Sequence, residues 1–419
     1  MTVDIAPWLV DSRWPTVPIR YVAKLGTGHT PSRQHPEYWD DCTVPWVTLA
    51  DVGQLRQGTV DIISNTAEMV SRLGIANSSA VRHPAGTVIL SRTASVGFSA
   101  ILGADMATSQ DFATWTCGGQ LDRKYLLHTL RAMAPDLRRL AMGSTHKTIY
   151  MPDIAELRIP LPSIEEQRRI ADFLDAETAL IDQLDASRLA QIGLLNELRV
   201  ATVSDAYTLR PNVSAPRLGY LATVQSGVTV DASRASSLND VTLPYLRVAN
   251  VQAGYLDLRE VAEITVPRHI EYVSTLRRGD VLMTEGGDLD KLGRGTVWEG
   301  QIDPCLHQNH VFAVRVDMRH LDPYYLALLT LTTHARIHFE STGTKTTNLA
   351  STSSSKIRDL RVPLPALPEQ RAIVKATRSA LASIEALGAA IARQRTLLTE
   401  RRQALIAAAV TGQFDVTTA

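Results

Sequence analysis

The chain has 419 residues, with 43 Lys and Arg against 43 Asp and Glu, and 45% of it is hydrophobic. That length and apolar content predict two or three domains with real cores. No apolar run is long enough for a membrane span, the N-terminus lacks a charged-then-apolar leader pattern, and the widely spaced Cys42, Cys117 and Cys305 indicate neither a disulfide framework nor a zinc knuckle. The expectation is a cytoplasmic protein in a reducing compartment. Balanced charge argues mildly against a nucleic-acid binder without excluding one, because a basic face can be offset by acidic surface elsewhere.

Residues 1–158 read as a mixed α/β unit. A strand over 19–25 runs into the turn Gly26-Thr27-Gly28-His29-Thr30. A second, Val44-Pro45-Trp46-Val47-Thr48-Leu49, leads to the bend Ala50-Asp51-Val52-Gly53. A third, Gly86-Thr87-Val88-Ile89-Leu90-Ser91, leaves Arg92 at its end. Leu126, Leu127, Leu130 and Leu137 give 125–140 a helical spacing. The polar loop Gly143-Ser144-Thr145-His146-Lys147-Thr148 follows.

Next comes Leu157-Arg158-Ile159-Pro160-Leu161-Pro162, then Ser163-Ile164-Glu165-Glu166-Gln167-Arg168-Arg169-Ile170. The Pro-x-Pro exit excludes helix, because each proline lacks an N–H and restricts its predecessor. A helix then opens with acids in its first turn, where they complement the dipole. Over 163–209 only Gly193 interrupts it. Ile181, Arg188, Leu195 and Thr202 recur every seven residues, and Leu184, Gln191 and Leu198 form the partner series, a coiled-coil seam with polar interruptions.

Residues 211–361 repeat the first unit loosely. Pro244-Tyr245-Leu246-Arg247-Val248-Ala249-Asn250-Val251 matches the stretch from Pro45, Gly279-Asp280-Val281-Leu282-Met283-Thr284 matches that from Gly86, and Gly343-Thr344-Lys345-Thr346-Thr347 stands where the first polar loop stood. Leu360-Arg361-Val362-Pro363-Leu364-Pro365, then Ala366-Leu367-Pro368-Glu369-Gln370-Arg371-Ala372-Ile373, repeats the motif at a constant offset of 203 (160 to 363, 170 to 373). A second long helix follows, with Ile384, Ile391, Leu398 and Leu405 in one series and Leu387, Gln394, Arg401 and Ala408 in the other. A repeat this long is a duplicated domain. The expected fold is α+β: two similar globular domains, 1–158 and 211–361, separated by helical segments 159–210 and 362–412, with a tail at 413–419. The helices would pair as an antiparallel coiled coil with pseudo-twofold symmetry. That caliper suits an elongated ligand with two separated features, such as duplex DNA.

Catalytic signals are weak. Asp322-Pro323-Tyr324-Tyr325 lacks the second proline of the Asp-Pro-Pro-Tyr motif of DNA amino-methyltransferases, and its counterpart Asp122-Arg123-Lys124-Tyr125 marks it as a helix start. Gly26-Thr27-Gly28 lacks the end of a Walker loop. His307 and His310 have no third ligand in register, which favours packing or hydrogen bonding over metal. The DNA-binding candidates are Arg92, Ser144, Thr145, His146 and Lys147 in the first domain, and Arg247, Lys291, Arg294, Thr344, Lys345 and Thr346 in the second. The loops combine hydroxyls and a lysine, which suit phosphate, and the arginines suit phosphate or base edges. Recurrence of the loop in both domains favours function over a solvated surface.

The strand, Pro-Leu-Pro, Glu-Gln-Arg and long helix, twice, each below a Gly, Ser/Thr and Lys loop, resemble the conserved regions of type I restriction-modification specificity subunits. The resemblance covers essentially the whole chain. It implies that each globular domain is a target recognition domain reading one half of a split, asymmetric sequence in double-stranded DNA. It implies that the helices are the spacer and docking surface for two methyltransferase subunits, which bring S-adenosylmethionine, and it allows for restriction subunits. The chain itself would hold no cofactor or metal and catalyse nothing. The alternative is a stand-alone DNA methyltransferase or nuclease with a divergent site.

Overall fold

The computed structural model describes residues 9, 11–56, 58–141, 147–208, 213–229, 239–287, 292–345 and 350–416. The chain divides into two compact units, Met1–Leu189 with Ala392–Ala419, and Ala190–Ile391. Each unit thus holds one globular domain and parts of both long helices, Ile164–Ala206 and Leu367–Thr411. No helix among the described residues is long and apolar enough to cross a membrane.

The first unit is built on a sheet in the order Ala23–Thr27, Phe112–Cys117, Val88–Ser91, Ser99–Leu102, Ile62–Ile63. Its central strands are buried on both faces, which explains their near-continuous apolar runs. A smaller sheet sets Val44–Val47 antiparallel to Glu68–Val70 and parallel to Met106–Thr108. The second unit repeats both sheets: Ala222–Ser226, Val311–Val316, Val281–Thr284, Gly295–Val297 in one, and Ala262–Pro267, Asp240–Leu246, Leu306–His307 in the other. The pairing senses are the same. Registers fix the equivalences: Ser91 faces Phe112 as Thr284 faces Val311. At Gly28 and Gly227 the chain passes so close to the next strand that a Cβ would lie 1.8 Å from the Thr108 carbonyl oxygen and 2.1 Å from that of His307.

The helix Arg123–Ala132 packs across the first sheet, with Asp122 as N-cap accepting from the N–H groups of Lys124 and Tyr125. In the second unit Asp322 caps Pro323–Leu329 in the same way. Asp322-Pro323-Tyr324-Tyr325 is therefore a helix start, with Tyr325 buried and its hydroxyl donating to the Pro363 carbonyl at 2.9 Å. Tyr125 donates likewise to Pro160 at 3.0 Å.

The Gln of each Glu-Gln-Arg sequence explains the motif. Gln167 is fully buried; its Oε1 accepts from the Asp122 N–H at 2.9 Å, and its Nε2 donates to the carbonyls of Gln120 and Pro162, both at 3.0 Å. Gln370 repeats the arrangement with the Asp322 N–H (2.9 Å) and the carbonyls of His320 (2.9 Å) and Pro365 (2.8 Å). One amide thus satisfies the backbone groups that the Pro-x-Pro exit and the capped helix leave unpaired. It also fixes the long helix to its domain.

Within the first unit the two long helices run antiparallel: Asp185 pairs with Arg395 at 2.7 and 2.9 Å, and Asp182 with Arg402 at 3.5 Å. Arg402 also donates to the Gly58 carbonyl, and Gln403 to that of Ala132. The core here mixes Leu126, Leu130 and Ile159 with Ile170, Leu174, Ile406 and Val410. In the second unit Val203, Tyr207 and Val374 join Tyr325, Leu326 and Val362. The seam expectation needs a correction. Ile181 and Ile391 are buried and Leu195, Ile384, Leu398 and Leu405 half-buried, but the partner series faces solvent, with Leu184, Leu198 and Leu387 each about half exposed. Asp182 and Asp185, not Leu184, meet the second helix, because its facing residues are Arg402 and Arg395.

His128, fully buried on the domain helix, bonds Asp175 of the first long helix at 2.7 Å, and Lys124 bonds the other carboxylate oxygen at 2.6 Å. Burial works to raise the Asp175 carboxyl, but these two donors outweigh it and bring it down to about 2 from its ordinary 3.8. A carboxyl lowered on folding contributes stability that is complete above pH 3.8 and is lost as the pH falls through 2. Asp175→Asn is expected to flatten that acid limb, read as denaturant midpoints between pH 5 and 2. Gln167→Ala strands a buried N–H and two carbonyls and is expected to cost about 3 kcal/mol in urea unfolding, whereas exposed Glu165→Ala, two residues earlier, costs under about 0.5 kcal/mol.

Candidate nucleic-acid interface

In each unit one end of the central hairpin gathers the polar loops. In the first, the Arg92 N–H donates to the Asp111 carbonyl at 2.8 Å, and the Arg92 carbonyl accepts from the Ile149 N–H at 2.8 Å. Thr93 bridges to Thr148, and the Ala94 N–H donates to the Lys147 carbonyl. Arg92 and Lys147 are therefore brought to one rim. Lys147 is exposed. Arg92 is half-buried and spends part of its guanidinium on the Ile149 carbonyl at 3.2 Å, so it braces the loop as well as edging the rim. The segment Ser109-Gln110-Asp111 completes this edge, with the Ser109 N–H bonded to the Val47 carbonyl and Thr30 donating to Gln110.

The second unit uses the same backbone bonds. The Glu285 N–H donates to the His310 carbonyl at 2.9 Å, and the Glu285 carbonyl accepts from the Thr352 N–H at 2.7 Å. Glu285 thus occupies the seat of Arg92, and His310 that of Asp111. Exposed Arg247 lies on this rim, since the Gln308 N–H bonds the Leu246 carbonyl and the Val248 N–H reaches the Gln308 side chain. It edges a cavity of about 390 Å³ with Asn250, Asp257 and Arg259. There Asn250 is buried and spans the Arg247 N–H and the carbonyls of Asp257 and Glu260, as Asp51 does for the N–H groups of Thr48 and Ala67 in the first unit. The Arg259 guanidinium and N–H hold the Asp257 carboxyl at about 2.

Thr344 and Lys345 form a strand against Ala350–Ser351, which pairs with Gly286–Gly287. The Thr352 seat matches Ile149, so the seat of Lys147 is Ala350, the register partner of Lys345. Thr344 is exposed and accepts from Lys356 at 2.9 Å, a lysine the sequence reading passed over because it sits beyond the loop, on the short helix Ser354–Asp359. Arg294, whose carbonyl accepts from the Thr284 N–H, lines a cleft of about 270 Å³ with Asn196, Arg199 and Arg336. Ser144, Thr145, His146, Lys291 and Thr346 lie outside the described residues. His307 is buried and bonds the Val311 carbonyl at 2.6 Å, and burial pushes its pKa down, whereas His310 is exposed and bonds Glu285. The sequence paired these two histidines by spacing; the strand places one in the core and the other on the rim.

Residues 11–193 match the family described as type I restriction modification DNA specificity domain. The type I restriction enzyme StySPI specificity subunit of Salmonella potsdam is 22% identical over 422 residues, covering 96% of this chain and 89% of that one. The chain is thus similar to type I specificity subunits, over residues 11–193 by the family model and over 96% of its length by this relative. The MjaIX specificity subunit of Methanocaldococcus jannaschii is 28% identical over 175 residues, 41% of this chain and 40% of that one. The EcoR124I/EcoR124II specificity subunit of Escherichia coli is 23% identical over 180 residues, 42% of this chain and 43% of that one. The chain thus spans about two fifths of the length of these last two relatives. Two solved structures share the fold of this chain, each at 19% identity. One is a chain from a study of complex assembly and conformational transition in a type I R-M system, with a TM-score of 0.74 over 96% of this chain and 98% of that one. The other is the HsdS subunit of Thermoanaerobacter tengcongensis, with a TM-score of 0.55 over 96% and 97%.

Proposed function

We propose that this specificity subunit is the DNA-reading component of a type I restriction-modification complex, each unit reading one half of a bipartite, asymmetric sequence in duplex DNA. The observation that carries this reading is the pair of rims. One scaffold, built twice with the same backbone bonds, presents Arg92, Asp111 and Lys147 in one unit and Glu285, His310, Arg247 and Thr344 in the other. Two identical half-sites would need no such difference, and a spacer would need no rim. Phosphate contacts from Lys147, Lys345 and the neighbouring hydroxyls would set register, and side chains at the strand ends would read bases.

The same reading assigns the solvent-facing series of the long helices to protein partners. Leu180, Leu184, Leu194, Leu198, Leu387 and Leu397 are each about half exposed or more. Apolar side chains recurring along a helix and left uncovered mark an interaction surface. We assign it to two methyltransferase subunits, which would carry S-adenosylmethionine, with restriction subunits joining that complex. A stand-alone methyltransferase or nuclease is less well supported, since Asp322 is committed as a helix cap.

Adenine methylation across the genome, read by single-molecule sequencing with and without this gene, tests the proposal. Loss of one split, asymmetric motif on deletion is the expected result; an unchanged methylation pattern in a strain whose methyltransferase subunit is active would overturn it. Lys147→Ala in the assembled complex is expected to weaken DNA binding across sequences and to lower the slope of log affinity against log salt by about 1. An unchanged slope would remove Lys147 from the phosphate contacts.

A further inference from the structure

The equivalence of the two rims singles out one pair of side chains. Glu285 and His310 sit on seats fixed from both sides by backbone bonds, and those seats hold Arg92 and Asp111 in the first unit. The hydrogen-bonding character is inverted: a guanidinium donor at the first seat becomes a carboxylate acceptor. Glu285 bonds the Nδ1 of His310, and the side chains are 27% and 54% exposed, so both are open to a ligand. Against a carboxylate, which only accepts, the Nδ1 of His310 is the donor. The second carboxylate oxygen of Glu285 is left to accept from a ligand.

An acid among the cations and hydroxyls of a DNA-binding rim has no use for phosphate, which repels it. In the major groove only two groups donate: the N4 amino of cytosine and the N6 amino of adenine. We propose that Glu285, held by His310, is a specificity-determining residue of the second unit and accepts a hydrogen bond from such an amino group at one position of its half-site. Arg92 and Asp111, with a donor on the first seat, give the first unit a different preference on the same frame. The inference rests on the DNA-reading function proposed above.

The test uses the assembled complex with its methyltransferase subunits. Affinities are measured for duplexes carrying the wild-type motif and for each single-base change in the half-site read by the second unit. Split-motif recognition by the wild-type complex checks the underlying reading by itself; without it, that reading and this inference both fall. With it, Glu285→Gln is expected to reduce discrimination about tenfold at one position occupied by cytosine or adenine on the strand contacted. Discrimination in the other half should be unchanged. His310→Asn should relax the same position, which ties the two residues together. Weakening of all duplexes by the same factor, or relaxation at a position where no amino group is available, would make the pair structural and overturn the proposal. If Glu285→Gln does not fold, which circular dichroism reads, Glu285→Asp decides: it keeps the carboxylate but withdraws it, and discrimination at the same single position must still fall.

Discussion

A buried side-chain amide holds each half of this protein together. Gln167 and Gln370 reach from the first turn of a long helix into the domain and satisfy three backbone groups at once. The Pro-x-Pro exit frees the chain from sheet and helix alike, which leaves carbonyls without partners. A capped domain helix begins beside it with an N–H to place. Only a side chain with a donor and an acceptor in fixed relation closes both needs, and glutamine has that geometry with the reach to deliver it. A glutamate there would bury a charge, and a leucine would leave three polar groups dry. Because the amide joins strand exit, helix cap and long helix, the direction in which the helix leaves the domain follows from it.

Around that anchor the two units spend their sequence differently. The sheets, the capping aspartates, the buried tyrosines and the close passages at Gly28 and Gly227 recur with the same partners, since each answers a packing or hydrogen-bonding demand of the backbone. At the strand ends no such demand exists. The seats of Arg92 and Glu285 are fixed by N–H and carbonyl bonds that any residue can make, so the side chains were free to diverge. Balanced overall charge is consistent with this arrangement: the rims mix cations with Asp111, Glu285 and Asp257, which suits reading base donors and acceptors better than gripping phosphate alone.

The long helices show a division of labour within one amphipathic pattern. One heptad series is packed, aided in the first unit by aspartate–arginine pairs. These pairs are partly exposed and contribute alignment more than stability. The other series leaves Leu184, Leu198 and Leu387 uncovered. A helix that kept both series for itself would have no surface left for a partner.

Much of the architecture was legible in the sequence. The constant offset of 203 residues showed a duplication, the proline-rich exits marked where each domain ends, and heptad spacing gave long helices, because these are local consequences of backbone chemistry. Asp322 as a helix start was legible too, from its alignment with Asp122. The candidate site was legible less evenly. The fold brings Lys147 and Arg92 to one rim, while Arg294 lines a cleft and Ala350, the register partner of Lys345, takes the Lys147 seat. Glu285 and Lys356 were not among the candidates, and His310 was read only for packing or hydrogen bonding. What the sequence alone determined was the repeat, the element types and their order. Which heptad series is packed, which of two neighbouring histidines is buried, and which residue shares a seat with Arg92 were decided by tertiary structure, because each depends on strand register and on the side chains that arrive from distant parts of the chain.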